Sequence, residues 1–337
     1  MSTKSCSDRP FGPVRRVPDG RPSTAVGPAF GRVWLKAPMT TSGTARGWAR
    51  LGLGAATLGA IAGAAAYGAR ELLTRQAAVA RTRINHHALG EVAPDADKVW
   101  KKRYGDPVEL LVLGDSIAAG LGADAPKHTL GGGLARRVAK RTGRGVRLHT
   151  AARVGSESSE LAGQLAGLPP GYRADVAVIV VGGNDVTHRV PTADSVRHLT
   201  EAIELLGERG TPVVVGTCPD LGALRPVPQP LRSLGSRASR QLAAAQRDAA
   251  LATGARAVSL AHVVGPFFIT NPDEMFSLDR FHPSTHGYKR TASAMLPSVL
   301  AALGYAETVP FGHHAPARSP GPRSGPGSQP GGGSAVS

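Results

Sequence analysis

Cysteine is scarce in this sequence. Among 337 residues only Cys6 and Cys218 carry a thiol, and they lie far apart along the chain. Two cysteines can form neither a disulfide framework nor a zinc site built from cysteine ligands. Cys218 follows an apolar run, a position that favours a small buried side chain over a reactive nucleophile. The redox compartment of the protein therefore stays open.

Acidic and aromatic residues are also few. Aspartate and glutamate number 24 against 40 lysines and arginines, which gives a formal net charge of +16, and aromatic residues make up 4% of the chain. A basic excess of this size can attract nucleic acid. However, the basic residues are concentrated in the N-terminal region or scattered, and neither zinc-finger spacing nor an aromatic RNA-binding signature is present. We therefore expect no nucleic-acid partner.

Both ends of the chain lack the apolar side chains of a folded domain. Residues 1–50 contain nine lysines and arginines against two acidic residues, and residues 305–337 are rich in glycine, proline and serine. Such segments cannot bury enough apolar surface to offset the loss of chain entropy on folding. We expect a disordered basic tail at 1–50, a disordered tail at 305–337, and a single folded domain at 106–304.

One stretch near the front carries no charge. It covers residues 51–69, between Arg50 and Arg70. A helix of that length would be about 28 Å long, close to the hydrocarbon thickness of a bilayer. We expect a transmembrane anchor or a signal segment, with a buried soluble helix as the alternative. Arginines flank both ends, so the positive-inside rule gives no orientation, and cleavage of the segment stays open.

The region at 70–105 connects this segment to the folded domain. Its first part, 70–90, has an amphipathic helical pattern, and we expect a stalk or linker helix. The protein is then membrane-anchored through 51–69 or secreted, with the folded domain outside the cytoplasm. A membrane anchor or signal segment normally lies at the start of a chain. Met39 begins a stretch that carries basic residues just before the uncharged segment. Our hypothesis is that Met39 is the native first residue.

Five apolar runs alternate with helical patterns across the domain. The runs have the near-continuous apolar character of parallel strands covered on both faces, and they lie at 108–113, 146–150, 175–181, 212–217 and 256–260. Helical patterns occupy 131–142, 158–168, 194–209, 230–253 and 285–303. This order predicts an α/β fold: a three-layer α/β/α sandwich with a mostly parallel five-stranded, flavodoxin-like sheet.

Polar residues follow three of the predicted strands. Ser116 comes after the first, "GGND" at 182–185 after the third, and "TCPD" at 217–220 after the fourth. Each of these could be ordinary turn chemistry. In doubly wound folds, however, ligands bind at the carboxyl ends of the strands, so we expect these groups on one rim of the sheet.

Ser116 and His282 suit nucleophilic catalysis. Flanking glycines give Ser116 tight turns and close substrate approach, but no G-x-S-x-G elbow surrounds it, so the ordinary α/β-hydrolase pattern does not apply. Asp279 precedes His282 by three residues in a turn-rich loop, a spacing that can bring the carboxylate to the far ring nitrogen. His286 is the competing base, although it should lie inside the last helix.

Four blocks in this order resemble the SGNH hydrolases, also called GDSL-type esterases and lipases. The blocks are "GDSI" at 114–117, the glycine of "ARVGSES", "GGND" at 182–185 and "DRFH" at 279–282. The resemblance covers 106–304. The stretches "VGGNDVTHRVP", "VVVGTCPDLG" and "SRQLAAAQ" also look like actinobacterial GDSL-like proteins with an N-terminal apolar segment.

The resemblance implies a role for each matching residue. Ser116 is the nucleophile, His282 the general base and acid, and Asp279 its orienting partner. The backbone N–H groups of Ser116 and Gly155 and the side-chain amide of Asn184 form the oxyanion hole. Asp115 and Asp185 match family positions but are interpreted as loop-shaping hydrogen-bond acceptors. Two features depart from the family pattern: Ile117 replaces the usual leucine, and no polar residue precedes the glycine of the second block.

The implied activity is hydrolysis of acyl esters through an acyl-enzyme, without metal or cofactor. The substrate would be a small molecule or an acylated lipid or sugar. Acyl transfer or deacetylation on cell-envelope sugars or lipids is the first alternative, and a non-catalytic binding domain is the second. Residues 219–237 form either a lid or pocket wall or a plain surface loop. The natural substrate and the oligomeric state stay open.

Overall fold

A computed structural model describes residues 44–86 and 89–317, with side chains from residue 61 onward. The chain divides into two units, Met1–Ile61 and Ala62–Ser337, and the second contains the sheet and the helices around it. Most of the predicted N-terminal tail, 1–43, lies outside the described residues, as do 318–337 of the C-terminal tail.

Helix α1 spans Thr44–Asn85. It begins inside the stretch predicted as a disordered tail, covers the uncharged segment and ends well before residue 105. Among the residues whose side chains are described, no helix is long and apolar enough to cross a membrane. Residues 51–60 of the predicted segment lie outside that set.

The sheet has seven strands in the described part of the chain, in the order β1-β3-β2-β4-β5-β6-β7. Their bounds are β1 Val99–Trp100, β2 Val108–Gly114, β3 Val146–Thr150, β4 Val176–Val180, β5 Val213–Gly216, β6 Arg256–Val258 and β7 His313–His314. The five from β2 to β6 pair in parallel, whereas β1 and β7 are antiparallel edges. The predicted mostly parallel five-stranded sheet is confirmed as the centre of the fold.

Ten α-helices follow α1 along the described chain. They are α2 Ser116–Ala119, α3 Leu130–Thr142, α4 Leu161–Ala166, α5 Gly183–His188, α6 Thr192–Glu208, α7 Leu231–Ala252, α8 Leu260–Val263, α9 Gly265–Thr270, α10 Pro272–Met275 and α11 Thr285–Ala302. The five predicted helical patterns correspond to α3, α4, α6, α7 and α11. The remaining helices lie within the connections between these elements and were not predicted, because they are too short to produce a recognisable amphipathic pattern in the sequence.

Strand β2 shows why the fold has three layers. Leu110 and Val112 point into a core cluster shared with α3 and α11, while Leu111 and Leu113 point into a second cluster shared with α4 and α6. All four side chains are fully buried. Because successive residues of a strand face opposite sides, an uninterrupted apolar run buries both faces of the sheet.

The two edge strands correct the predicted domain boundaries. Strand β1 lies in the region expected to be a linker helix, and Trp100 is buried there with its indole N–H donated to the carbonyl of Ala96 at 3.0 Å. Strand β7 lies in the stretch expected to be a disordered tail. A two-residue strand is too short to show a strand period, so composition alone misplaced both boundaries.

Strand β7 should contribute to stability. His313 Nδ1 lies 2.7 Å from Ser298 Oγ, and His314 Nε2 lies 3.1 Å from Ser259 Oγ. We predict that a chain ending at 304 unfolds with a free energy roughly 1–3 kcal/mol below that of a chain ending at 317, because hydrogen bonds and edge pairing are lost. Urea unfolding of the two chains checks this, and equal midpoints with equal slopes would contradict it.

Candidate active site

The turn after β2 places Ser116 at the carboxyl edge of the sheet. Gly114 has φ of 128°, and a Cβ atom there would lie 1.8 Å from the carbonyl oxygen of Val180. Only glycine fits this close approach of two strands. The carboxylate of Asp115 then accepts the N–H of Ile117 at 2.9 Å and starts α2, which leaves Ser116 mostly buried at 6% exposure.

The loop between α10 and α11 positions His282. One carboxylate oxygen of Asp279 accepts the backbone N–H groups of Phe281 and His282, both at 3.0 Å. The other oxygen lies 2.6 Å from Nδ1 of the His282 ring. The same side chain thus shapes the turn and orients the imidazole, as the three-residue spacing predicts.

The serine and histidine loops meet. His282 Nε2 lies 2.9 Å from Ser116 Oγ, across 166 positions of sequence. A Cβ atom on Gly122 would lie 2.5 Å from the carbonyl oxygen of Pro283, so the loop after α2 fits closely against the histidine loop. The structure therefore brings Ser116, His282 and Asp279 into one hydrogen-bonded chain.

His286, the competing base, is not part of that chain. It lies in the first turn of α11, where its side chain is exposed and its backbone N–H is donated to Ser284 Oγ at 3.1 Å. Ser284 caps the helix, as a serine before the first helical residue predicts.

Asp279 is held as an anion. Burial raises the pKa of its carboxyl group, but the hydrogen bonds from the His282 ring and from the N–H groups of Phe281 and His282 outweigh burial. The net pKa lies below its usual value. A carboxylate that stays ionised can stabilise a positively charged imidazole next to it.

For Asp115, burial outweighs the hydrogen bonds to its carboxyl group. Burial raises its pKa from 3.8 to about 6, although the N–H groups of Ile117 and Gly183 and the nearby His282 act to lower it. The charge of Asp185 adds to the increase. This carboxyl group shapes the nucleophile turn and makes none of the hydrogen bonds that link Ser116, His282 and Asp279.

The second and third blocks are joined by Asn184. Its side-chain amide donates to the carbonyl oxygen of Ser156 at 2.9 Å, and Asn184 lines the same cleft as Ser116. Gly155 has φ of 85° and is exposed. Within the described part of the chain, the backbone N–H groups of Ser116 and Gly155 have no acceptor. Gly155 is not among the described residues that line the cleft of Ser116.

Gln164 is a buried glutamine near the site that was not predicted from the sequence. Its side-chain oxygen accepts the N–H of Gly114 at 2.9 Å, and its nitrogen donates to the carbonyl of Gly114 at 2.8 Å and to Ser156 Oγ at 3.2 Å. It thus ties the nucleophile turn to the second block. Its position within the apolar stretch "LAGQLAG" could have indicated this role, because a buried side-chain amide requires hydrogen-bond partners.

The hydrogen bonds of Asp185 confirm that it is a loop-shaping acceptor. Its fully buried carboxylate accepts the hydroxyl groups of Ser158 and Ser195, the latter at 2.6 Å, and the N–H of Ser158 at 3.1 Å. These bonds fix the loop of the second block against α6.

An apolar cleft leads away from Ser116 and His282. It encloses about 770 Å³ of empty space, part of it open to solvent. Its walls include Leu221 and Leu224 from the predicted lid or wall stretch and further apolar side chains: Leu260, Val264, Phe268, Phe276 and Phe281. The first part of the 219–237 stretch, up to residue 224, therefore supplies a pocket wall. Among the described residues, no group of three or more His, Cys, Asp or Glu side chains is placed to hold a metal ion.

Comparison with known proteins gives the family of this chain. The model of the GDSL-like Lipase/Acylhydrolase family matches residues 112–290, which include all four sequence blocks. The chain belongs to this family. It is also 38% identical over 280 residues to the GDSL-like esterase Rv1075c of Mycobacterium tuberculosis strain H37Rv, an alignment that covers 78% of this chain and 87% of that protein.

Solved structures of similar proteins include two hydrolases. One is an α/β hydrolase from the metagenome of Lake Arreo, with 19% identity, 61% of this chain and 99% of that chain covered, and a TM-score of 0.46. The other is a lipase/acylhydrolase from Enterococcus faecalis, with 21% identity, 59% and 97% covered, and a TM-score of 0.47.

The raised pKa of Asp115 predicts a pH-dependent stability. A carboxyl group with a raised pKa in the fold stabilises the protein fully below its unfolded value near 3.8 and loses this contribution as the pH rises through about 6. Asparagine does not titrate, so Asp115→Asn should not lose this contribution. Between pH 4 and pH 7 its free energy of unfolding should therefore rise, relative to that of the native protein, by on the order of 3 kcal/mol. Chemical unfolding of both proteins across this range measures the difference, and curves that stay parallel would refute the prediction.

Proposed function

We propose that this protein hydrolyses carboxylic esters with Ser116 as nucleophile, His282 as general base and acid, and Asp279 as the anion that orients the histidine. The observation that carries the proposal is the unbroken contact from Asp279 Oδ2 through the His282 ring to Ser116 Oγ, at 2.6 Å and 2.9 Å. Membership of a family of lipases and acylhydrolases supports the same chemistry.

The first half of the reaction forms an acyl-enzyme. Ser116 Oγ attacks the ester carbonyl carbon while His282 Nε2 takes the hydroxyl proton, and the carbonyl π electrons move to the oxygen. Asp279 stabilises the imidazolium that forms. When the tetrahedral intermediate collapses, the bond to the alcohol oxygen breaks and His282 returns its proton to the leaving alkoxide.

The second half releases the acid. Water loses a proton to His282 Nε2 and attacks the acyl carbon, and the second tetrahedral intermediate expels Ser116 Oγ, which regains the proton. The negative oxygen of both intermediates would accept the N–H groups of Ser116 and Gly155 and the Asn184 amide. An amide suits this role because it donates hydrogen bonds without carrying a charge of its own.

The cleft favours an apolar acyl group. Leucine and phenylalanine side chains make up much of the lining beside Ser116 and His282. Burial of each additional methylene in such a cleft gains about 0.8 kcal/mol. We therefore propose esters of medium-length fatty acids as the preferred substrates among simple esters.

The triad is tested with an ester panel. We predict that Ser116→Ala and His282→Ala each lower kcat for p-nitrophenyl esters by roughly 1,000-fold or more, because the nucleophile or its base is lost. Ser293→Ala and His286→Ala are matched controls, since both side chains are exposed on α11, and they should retain activity within about twofold. Full activity of purified Ser116→Ala would overturn the assignment.

The Asn184 donor is tested separately. Asn184→Ala should reduce kcat by about 100- to 1,000-fold with a small effect on KM, because the amide acts mainly on the charge that develops in the transition state. Steady-state kinetics on one ester measures both constants. An equal kcat with a raised KM would show instead that Asn184 binds the ground state.

A further inference from the structure

The C-terminal part of α1 packs against the hydrolase domain along one face. From Leu73 to Ile84 the buried or half-buried positions recur every three or four residues, at Leu73, Gln76, Ala77, Ala80 and Ile84. Ala80 is only 6% exposed, whereas Leu72 and Val79, on other faces of the helix, are 48% and 42% exposed. A single buried stripe of this kind marks a docked helix.

Gln76 makes the central polar contact of this face. Its side-chain nitrogen donates to the carbonyl of Gln229 at 2.5 Å, and its oxygen accepts the N–H of Leu231 at 3.0 Å. Arg83, two turns further along α1, donates to the carbonyl of Pro226 at 3.1 Å. Three backbone groups between positions 226 and 231 therefore find their partners on α1.

These groups belong to the chain that builds one side of the cleft. We call residues 219–231 the wall segment, because Leu221 and Leu224 within it line the cleft. The N–H of Val227 is donated to the carbonyl of Leu224 at 3.1 Å, so the part held by α1 is bonded to the part that lines the cleft. On the other side, Arg225 donates to the carbonyl of Ile269 at 3.2 Å.

We propose that α1 sets the acyl-chain preference of the enzyme by holding the wall segment, and that Gln76 is the residue that determines this specificity. The inference rests on the proposed ester hydrolysis. Gln76 acts through the wall segment, since it does not line the cleft. Without its amide, the carbonyl of Gln229 and the N–H of Leu231 lose their partner, and the wall is free to move away from the bound chain.

The consequence should depend on the length of the acyl group. An octanoyl chain reaches along the apolar walls and loses contact with Leu221 and Leu224 when the wall segment moves. An acetyl group stays beside Ser116 and His282, which are held by contacts that do not involve α1. The loss should therefore appear mainly in KM for the long-chain ester.

The test compares full-length native protein with Gln76→Met, which keeps the length and apolar stem of the side chain but removes both hydrogen bonds. Thr82→Val is the control, because the Thr82 hydroxyl is exposed and bonds only to the Ala78 carbonyl of its own helix. Kinetics on p-nitrophenyl octanoate and acetate give kcat and KM for each protein. Hydrogen–deuterium exchange reports separately on the amides of the wall segment.

For Gln76→Met we expect the octanoate-to-acetate ratio of kcat/KM to fall about fivefold or more, through KM for octanoate, with faster exchange at Leu231. Thr82→Val should keep the native ratio. An active Gln76→Met enzyme whose ratio stays within about twofold of native, or whose two esters lose kcat equally, would overturn this inference alone. Native protein that cleaves neither ester would refute the proposed function, and the inference with it.

Discussion

The hydrogen bond between Ser116 Oγ and His282 Nε2 is the contact on which the site depends. It joins the start of α2, after the second strand, to the loop before the last helix, so it forms only when segments 166 positions apart have come together. Two further contacts hold these loops together: the hydroxyl of Tyr288 donates to the carbonyl of Leu121 at 2.7 Å, and Gly122 leaves room for Pro283. Tyr288 is fully buried, so its hydrogen bond is protected from water.

The strand ends around this contact are held by buried amides. Gln164 bonds both backbone groups of Gly114, and Gln246 accepts the N–H of Cys218 at 2.7 Å and donates to the carbonyl of Val181 at 2.9 Å. Where a parallel sheet ends, its backbone groups lose their ladder partners, and a buried group without a partner costs free energy. Side-chain amides solve this problem because each supplies both a donor and an acceptor. These hydrogen bonds give the strand-end backbone groups partners and so help to keep the reacting groups in place.

Much of this architecture could be predicted from the sequence. The five parallel strands were visible because both faces of the sheet are buried, which makes each strand a continuous apolar run. The link between Asp279 and His282 was visible because it is local. The edge strands at 99–100 and 313–314 were missed because a pairing of two residues leaves no period in the sequence. The contacts of Gln164 with Gly114 and of Gln76 with Gln229 were missed because these partners lie 50 or more positions away and are backbone atoms, which carry no signature of their own.

Covalent labelling tests the central claim most directly. A fluorophosphonate reacts with a serine hydroxyl only when a neighbouring base activates it, and the adduct can be located by mass spectrometry of the digested protein. The account predicts one adduct per chain, on the peptide that contains Ser116, and its loss in His282→Ala. An unmodified Ser116, or a label on a different serine, would contradict the account.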